Sequence, residues 1–246
     1  MQKNHRFVTI LILVASILFI SFANASNQSS LVKSANETVE TDSSSVVATP
    51  SLSAVLYDSL QLQNFGLSKE ALEYALKGYQ KLDSAGKVNN QILTIVDFSQ
   101  HSRKKRMYIL DMKEHKLLWN TFVSHGKNTG IDVAKSFSNR INSEQSSLGF
   151  FITTATYTGK HGLSLRLSGQ EEGFNDNAEA RGVVVHGAAY VNAARVNSPY
   201  MGRSQGCPAL PEAEYAKVIN LIKDGSVMFI YHPSKNYLEN SPVLNG

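Results

Sequence analysis

Two residue types in this 246-residue chain could do covalent chemistry together. The only cysteine, Cys207, sits in the run G-R-S-Q-G-C-P-A-L-P (residues 202–211), and His186 closes the run G-V-V-V-H about twenty residues earlier. A thiol titrating near pH 8.5 is mostly protonated at neutrality, and an adjacent imidazole can take its proton and leave a thiolate nucleophile. Gly206 has no side chain, so its N–H and that of Cys207 can both aim at an oxyanion forming on a substrate carbonyl. The competing explanation is structural, with His186 a hydrogen-bonded core histidine and Cys207 a small buried hydrophobe.

The flanking residues say what must hold these groups. Gly182 to Val185 is a continuous apolar run, as in a buried strand, which fixes His186 to a rigid end with its ring free to face a cleft. After Cys207, Pro208 and Pro211 lead into a helix whose apolar stripe is Tyr215, Val218, Ile219 and Ile222, ended by Asp224-Gly225. Further strands are expected at 92–98, 106–112, 117–123, 149–157, 163–167, 182–186 and 227–231, separated by turn-forming runs such as SRKK, KEHK and GKNTG. Upstream, Leu52, Val55, Leu56 and Leu60 recur at helical spacing, and Ser68 can cap a second helix carrying Leu72, Ala75, Leu76 and Tyr79. The expected fold is mainly β with flanking helices, an α+β body.

The beginning of the chain sets a compartment. Lys3, His5 and Arg6 precede an uncharged run from Phe7 to Phe22, and Ala23-Asn24-Ala25 presents small residues where a signal peptidase cuts. Residues 1–25 therefore read as a secretory signal, too short in its apolar run for an anchor of about 20 residues. The expected product is exported, to the periplasm or to the cell wall and beyond, with no stable membrane span after cleavage. There, cysteines usually pair, and one cysteine has no partner within its chain, so it is either used or hidden. Residues 26–50 are rich in Ser, Thr and Asn without an aromatic, the composition of a disordered linker. The net charge of +4 falls to about +2 once Lys3 and Arg6 leave, too mild to point to nucleic acid. The organisation is then a helical segment at 51–90, a catalytic domain at 91–235 and a C-terminal tail at 236–246.

Residue order narrows the class. Papain-like and related cell-wall peptidases place cysteine before histidine, whereas caspases and sortases share the His-then-Cys order but carry other segments around the nucleophile. His186-Gly187 followed by Ser204-x-Gly206-Cys207 resembles the signature of the L,D-transpeptidases, the YkuD-like murein enzymes. EARGVVVHGAAYV, QSSLGFFITTATYTGKHGLSLRL and FVSHGKN are similar to a subgroup of them, the murein L,D-transpeptidase catalytic domain family, over roughly residues 90–232. The resemblance implies a β-sandwich-like catalytic core preceded by a short helical segment, acting on peptidoglycan stem peptides. It implies a Cys207 thioester resolved by an acceptor amine on a second stem peptide or an envelope protein. Water as the acceptor would instead make a carboxypeptidase or endopeptidase, and an inert cysteine a wall-binding module. The resemblance further implies His186 as base, the Gly187 carbonyl as its orienting partner, Ser204 as loop support, and the Gly206 and Cys207 N–H groups as oxyanion hole, without metal or organic cofactor. The arginine that the larger family carries two positions after Gly-Cys is replaced by Pro208-Ala209-Leu210, and Arg203 is the candidate substitute for binding substrate.

Two more histidines are candidates for the cleft wall. His125 lies in S-H-G-K after a strand and His161 in G-K-H-G, each equally explained as a loop histidine bonded to backbone. With His186 they lack the compact spacing of a metal site. Asn175-Asp176 is expected to form a turn just upstream of the His186 strand, Trp119 to join the core, and Arg103-Lys104-Lys105-Arg106 to decorate a hairpin edge.

Overall fold

A computed structural model describes residues 51–246; the signal (1–25) and linker (26–50) lie outside the described residues. Ten strands form, β1 Ile92–Asp97, β2 Met107–Asp111, β3 Lys116–Thr121, β4 His125–Gly126, β5 Gly149–Gly159, β6 Gly162–Gly169, β7 Val184–Gly187, β8 Arg203–Ser204, β9 Ala209–Leu210 and β10 Val227–Tyr231. Five helices accompany them, α1 Leu52–Ser59, α2 Lys69–Ser84, α3 Tyr215–Ile222, α4 Lys235–Asn240 and α5 Pro242–Asn245. Eight strands make one mixed sheet in the order β3-β2-β1-β10-β5-β6-β7-β9, and β4 pairs with β8 in a second, two-stranded sheet.

The middle of the large sheet explains its own sequence. Every residue of β1 and β10 is buried, which requires cover on both faces and produces continuous apolar runs rather than alternation. Helix α2 lies over β1 and β10, and α3 packs on β1, β6 and β7. Ser68 caps α2 as its position suggested, its hydroxyl accepting the Ala71 N–H at 3.1 Å. Gly78 on α2 meets the ring of Phe150, which stacks on Phe229 with centroids 4.1 Å apart. A side chain at position 78 would displace the helix from the sheet.

The C-terminal tail is part of this body. Helices α4 and α5 bury Tyr237, Val243 and Leu244. Beneath them the fully buried Glu171 accepts the Phe150 N–H at 2.6 Å, the Tyr237 hydroxyl at 3.0 Å and the Ser241 hydroxyl. The carboxylate thereby ties β5 to the tail. Asn175 does more than turn the chain: fully buried, it donates to the Leu148 and Phe150 carbonyls at 2.9 and 3.1 Å.

Arg106 overturns a surface expectation, and Trp119, expected in the core, packs against it from the edge strand. Arg106 is not a hairpin-edge charge but is fully buried, donating to the carbonyls of Val123 (3.0 Å) and Gln100 (2.9 Å) with its guanidinium 4.6 Å from the Phe98 ring. Carbonyl dipoles and an aromatic face replace the water it loses, although burial still lowers its pKa to about 9. Trp119 is only half-buried on the edge strand, donating to Glu214 Oε2 at 2.8 Å beneath the Lys217 ammonium.

Candidate active site

Strand register brings the two chemical residues together. Strands β7 and β9 pair in parallel, His186 opposite Ala209 and Gly187 opposite Leu210. Cys207, two residues before Ala209, is thereby set alongside Val184, and the side chains of Val184 and His186 share one face of β7. Cys207, Val184 and His186 line one cavity of about 500 Å³. His161, at the turn of the β5–β6 hairpin, lines it too and stacks its ring on His186 with centroids 4.4 Å apart and planes 25° apart.

Hydrogen bonds fix the protonation of this pair. His186 Nδ1 lies 2.9 Å from the Gly187 carbonyl oxygen, which can only accept, so Nδ1 carries the proton and Nε2 is left with its lone pair. Burial lowers the His186 pKa, and His161 pushes the same way against the Gly187 bond. The imidazole is therefore a neutral base at neutral pH. Burial raises the Cys207 thiol, opposed by the Val184 N–H, the Arg181 charge and the cysteine's own N–H. The thiol donates to the Gly182 carbonyl at 3.7 Å. The resting site thus holds a neutral thiol and a neutral base rather than an ion pair.

The nucleophile loop is braced from behind. The Gly206 N–H donates to Ser204 Oγ at 3.1 Å, and that hydroxyl donates to the Cys207 carbonyl at 2.6 Å. Ser146 donates to the Gly206 carbonyl at 3.3 Å and accepts the Gly126 N–H at 3.0 Å. Gly206 has φ of +124°, and a Cβ there would stand 2.8 Å from the Gln145 carbonyl oxygen, so glycine is required twice over. This corrects the expected oxyanion hole: the Gly206 N–H is already taken by Ser204.

His125 is not a cleft residue. It is fully buried, its Nδ1 accepting from Arg106 Nη2 at 2.8 Å while Nε2–H donates to the Gly130 carbonyl at 3.2 Å. Burial and the neighbouring Arg106 hold its pKa at about 4. A ring with both nitrogens committed in the interior cannot meet substrate. Arg203 does line the cleft, its Nη1 donating to the Lys127 carbonyl at 3.0 Å and its guanidinium 4.8 Å from the Tyr200 ring. Lys127 and Lys160 add charge to the wall, which includes no carboxylate; Lys127 pairs with Glu144 at 2.6 Å. Sequence reasoning missed Lys160, Tyr190 and above all Arg181, whose place two residues ahead of Val183 gives no sign that it reaches the loop behind the thiol.

A family model of the L,D-transpeptidase catalytic domain (YkuD_2) matches residues 63–231. The chain belongs to this family. The match thus covers the sheet, the cleft, His186 and Cys207. Among solved structures, the chain is similar to an L,D-transpeptidase from Mycobacterium smegmatis (14% identity, TM-score 0.37, covering 58% of this chain and 59% of that one). It is similar also to an L,D-transpeptidase from Mycobacterium tuberculosis H37Rv (13%, TM-score 0.35, 58% of each chain). A third neighbour is the helical cell shape determining protein Pgp2 from Campylobacter jejuni (13%, TM-score 0.40, 65% of this chain and 57% of that one). The match therefore spans less than two thirds of the length of each of these three chains. No curated protein matches the chain.

Proposed function

We propose that this protein is an exported, cysteine-dependent peptidoglycan L,D-transpeptidase. The observation that carries the reading is the β7–β9 register, which sets a neutral imidazole and the only thiol in one cleft. Cys207 Sγ attacks the carbonyl carbon on the L-centre side of a bond to a D-residue in a stem peptide. His186 Nε2 takes the thiol proton as the C–S bond forms, with the Gly187 carbonyl holding the ring through Nδ1. The tetrahedral oxyanion is met by the Cys207 N–H, the member of the expected pair that Ser204 does not occupy. Its collapse breaks the C–N bond, and His186 returns the proton to the departing D-residue amine. A thioester remains. An acceptor amine, on another stem peptide or an envelope protein, then attacks that carbonyl, giving its proton to His186 and releasing the Cys207 thiolate, which takes that proton from His186 and restores the neutral pair. General base assistance of this kind is worth about 10²–10⁴ in rate.

The cleft suits a substrate carrying free carboxylates. Arg203 has only Nη1 committed to protein carbonyls, at 3.0 and 3.5 Å, which leaves Nη2 for a carboxylate. Lys160, in the turn of the β5–β6 hairpin, also lines the cleft.

Intact-protein mass spectrometry of residues 26–246 with purified tetrapeptide stems, and separately with a carbapenem, tests the reading. We expect a covalent adduct mapped to Cys207 and absent in Cys207→Ala. The peptide products then separate cross-linking from hydrolysis of the same thioester. A folded, reduced protein that forms no adduct, or a Cys207→Ala variant that keeps turnover, overturns the assignment.

A further inference from the structure

We infer that Arg181 is a positioning residue of the reaction proposed above, a fixed positive charge that braces the loop carrying Cys207 and packs against Gly206, the residue before the thiol. Its two terminal nitrogens make four hydrogen bonds to one loop. Nη1 donates to the Ser138 carbonyl at 2.7 Å and Ser147 Oγ at 2.5 Å, and Nη2 to Ser143 Oγ at 3.1 Å and the Gln145 carbonyl at 2.6 Å. A guanidinium offers four terminal N–H groups, so all are used and none is left to clamp a substrate carboxylate. In that respect it is the opposite of Arg203, whose Nη2 is uncommitted.

The same nitrogen packs against the nucleophile loop. Nη2 would stand 3.4 Å from a Cβ on Gly206, and the Gln145 carbonyl it holds is the atom nearest that position, at 2.8 Å. Arg181 is followed directly by Gly182, whose carbonyl accepts the thiol. One side chain thus ties residues 138–147 to the back of Gly206, and its own backbone leads into the thiol's acceptor. His186 and Tyr190, His161 and Lys160 of the hairpin, and Lys127 and Arg203 line the cleft, whereas the Arg181 guanidinium packs behind it against Gly206, the residue before the thiol. Half-buried and held by carbonyls, it is less screened than the lysines at the rim.

The test reads the thiol rather than turnover. The rate at which a small neutral electrophile alkylates Cys207 is followed against pH in the wild type, Arg181→Gln and Arg181→Lys, with thermal melts to confirm folding. Loss of this cation moves the profile to higher pH, so alkylation of Arg181→Gln at pH 8 is expected to fall about threefold to tenfold, with the limiting rate at high pH unchanged. Arg181→Lys keeps the charge but not the fork, so it is expected to retain most of the wild-type profile while losing turnover. If Arg181→Gln does not fold, Arg181→Lys and Ser143→Ala carry the test. Ser143→Ala removes one bond and no charge, and should leave the alkylation profile in place while slowing turnover. A wild-type profile in Arg181→Gln overturns the inference, as does a shifted profile in Arg181→Lys equal to that of a neutral side chain. Neither result touches the transpeptidase assignment, which fails only on the adduct and turnover measurements.

Discussion

Replacing Gly206 with alanine tests how the nucleophile loop is held. The residue has φ of +124°, and a Cβ would come within 2.8 Å of the Gln145 carbonyl oxygen. Holding a non-glycine residue in such backbone costs about 1–3 kcal/mol. The contact adds a second cost, because the offending atom is backbone and is itself pinned by Arg181 Nη2 at 2.6 Å; overpacking of this kind costs about 1–3 kcal/mol. The total, about 2–6 kcal/mol, lowers the melting temperature by roughly 5–20 °C for a domain of this size. Gly86→Ala is the control. It also has positive φ, +68°, but nothing lies within 4 Å of its Cβ position, so it carries the backbone cost alone, about 1–2 kcal/mol. The gain from restricting the unfolded chain is common to both variants and cancels in the comparison. The assay is differential scanning calorimetry of both, with the rate of stem-peptide acylation measured alongside. Because a displacement of about 1 Å at a reacting atom can cost about a hundredfold in rate, acylation should fall by that order in Gly206→Ala and stay near wild type in Gly86→Ala. If Gly206→Ala melts no lower than Gly86→Ala, the close approach to Gln145 does not constrain the loop and the reasoning fails.

Two further outcomes follow from the buried groups. Burial raises the Cys207 thiol above the ordinary value near 8.5 and lowers His186. Alkylation of the free enzyme should therefore climb with pH through 8 and beyond, whereas a plateau reached below pH 7 would reveal a resting ion pair and contradict the geometry. Glu171→Ala strands the Phe150 N–H and two hydroxyls, which at about 1–3 kcal/mol per unsatisfied donor should cost about 3–9 kcal/mol in urea unfolding; a loss under 1 kcal/mol would mean the tail is not anchored there. In the wild type, burial holds the Glu171 carboxyl above its usual range. Its contribution is thus complete below about pH 4.3 and declines as pH rises through the raised folded value, a slope that Glu171→Gln should abolish.

The elements that carry the site were legible because their reasons are local. Strand β7 announced itself by an unbroken apolar run, and the turn before Cys207 by a glycine that no other residue can replace at +124°. Residues whose roles depend on distant partners were not legible. His125 and His161 sit in equally turn-like sequences, yet the Arg106 guanidinium and the Gly130 carbonyl draw one inward while a two-residue hairpin turn lays the other over His186. Arg106 looked like surface charge because its acceptors, Val123 and Gln100, are backbone carbonyls, which leave no mark in side-chain spacing. The tail was hidden for the same reason, since its anchor Glu171 is 70 residues from Ser241 in the chain.

The oxyanion hole shows why motif and geometry must be separated. A Ser-x-Gly-Cys run permits two arrangements: a Gly206 N–H open to the cleft, or one closed by Ser204. The hydroxyl lies 3.1 Å from that nitrogen and 2.6 Å from the Cys207 carbonyl, so it bridges the two ends of its own turn. That bridge fixes the turn carrying Cys207 at the expense of one donor, and in the proposed reaction the Cys207 N–H remains for the oxyanion. Its position depends on the β7–β9 pairing as much as on the loop, because the register holds Ala209, two residues on, beside His186. A preorganised amide need not reorganise when charge appears, which is where such donors have their largest effect on rate.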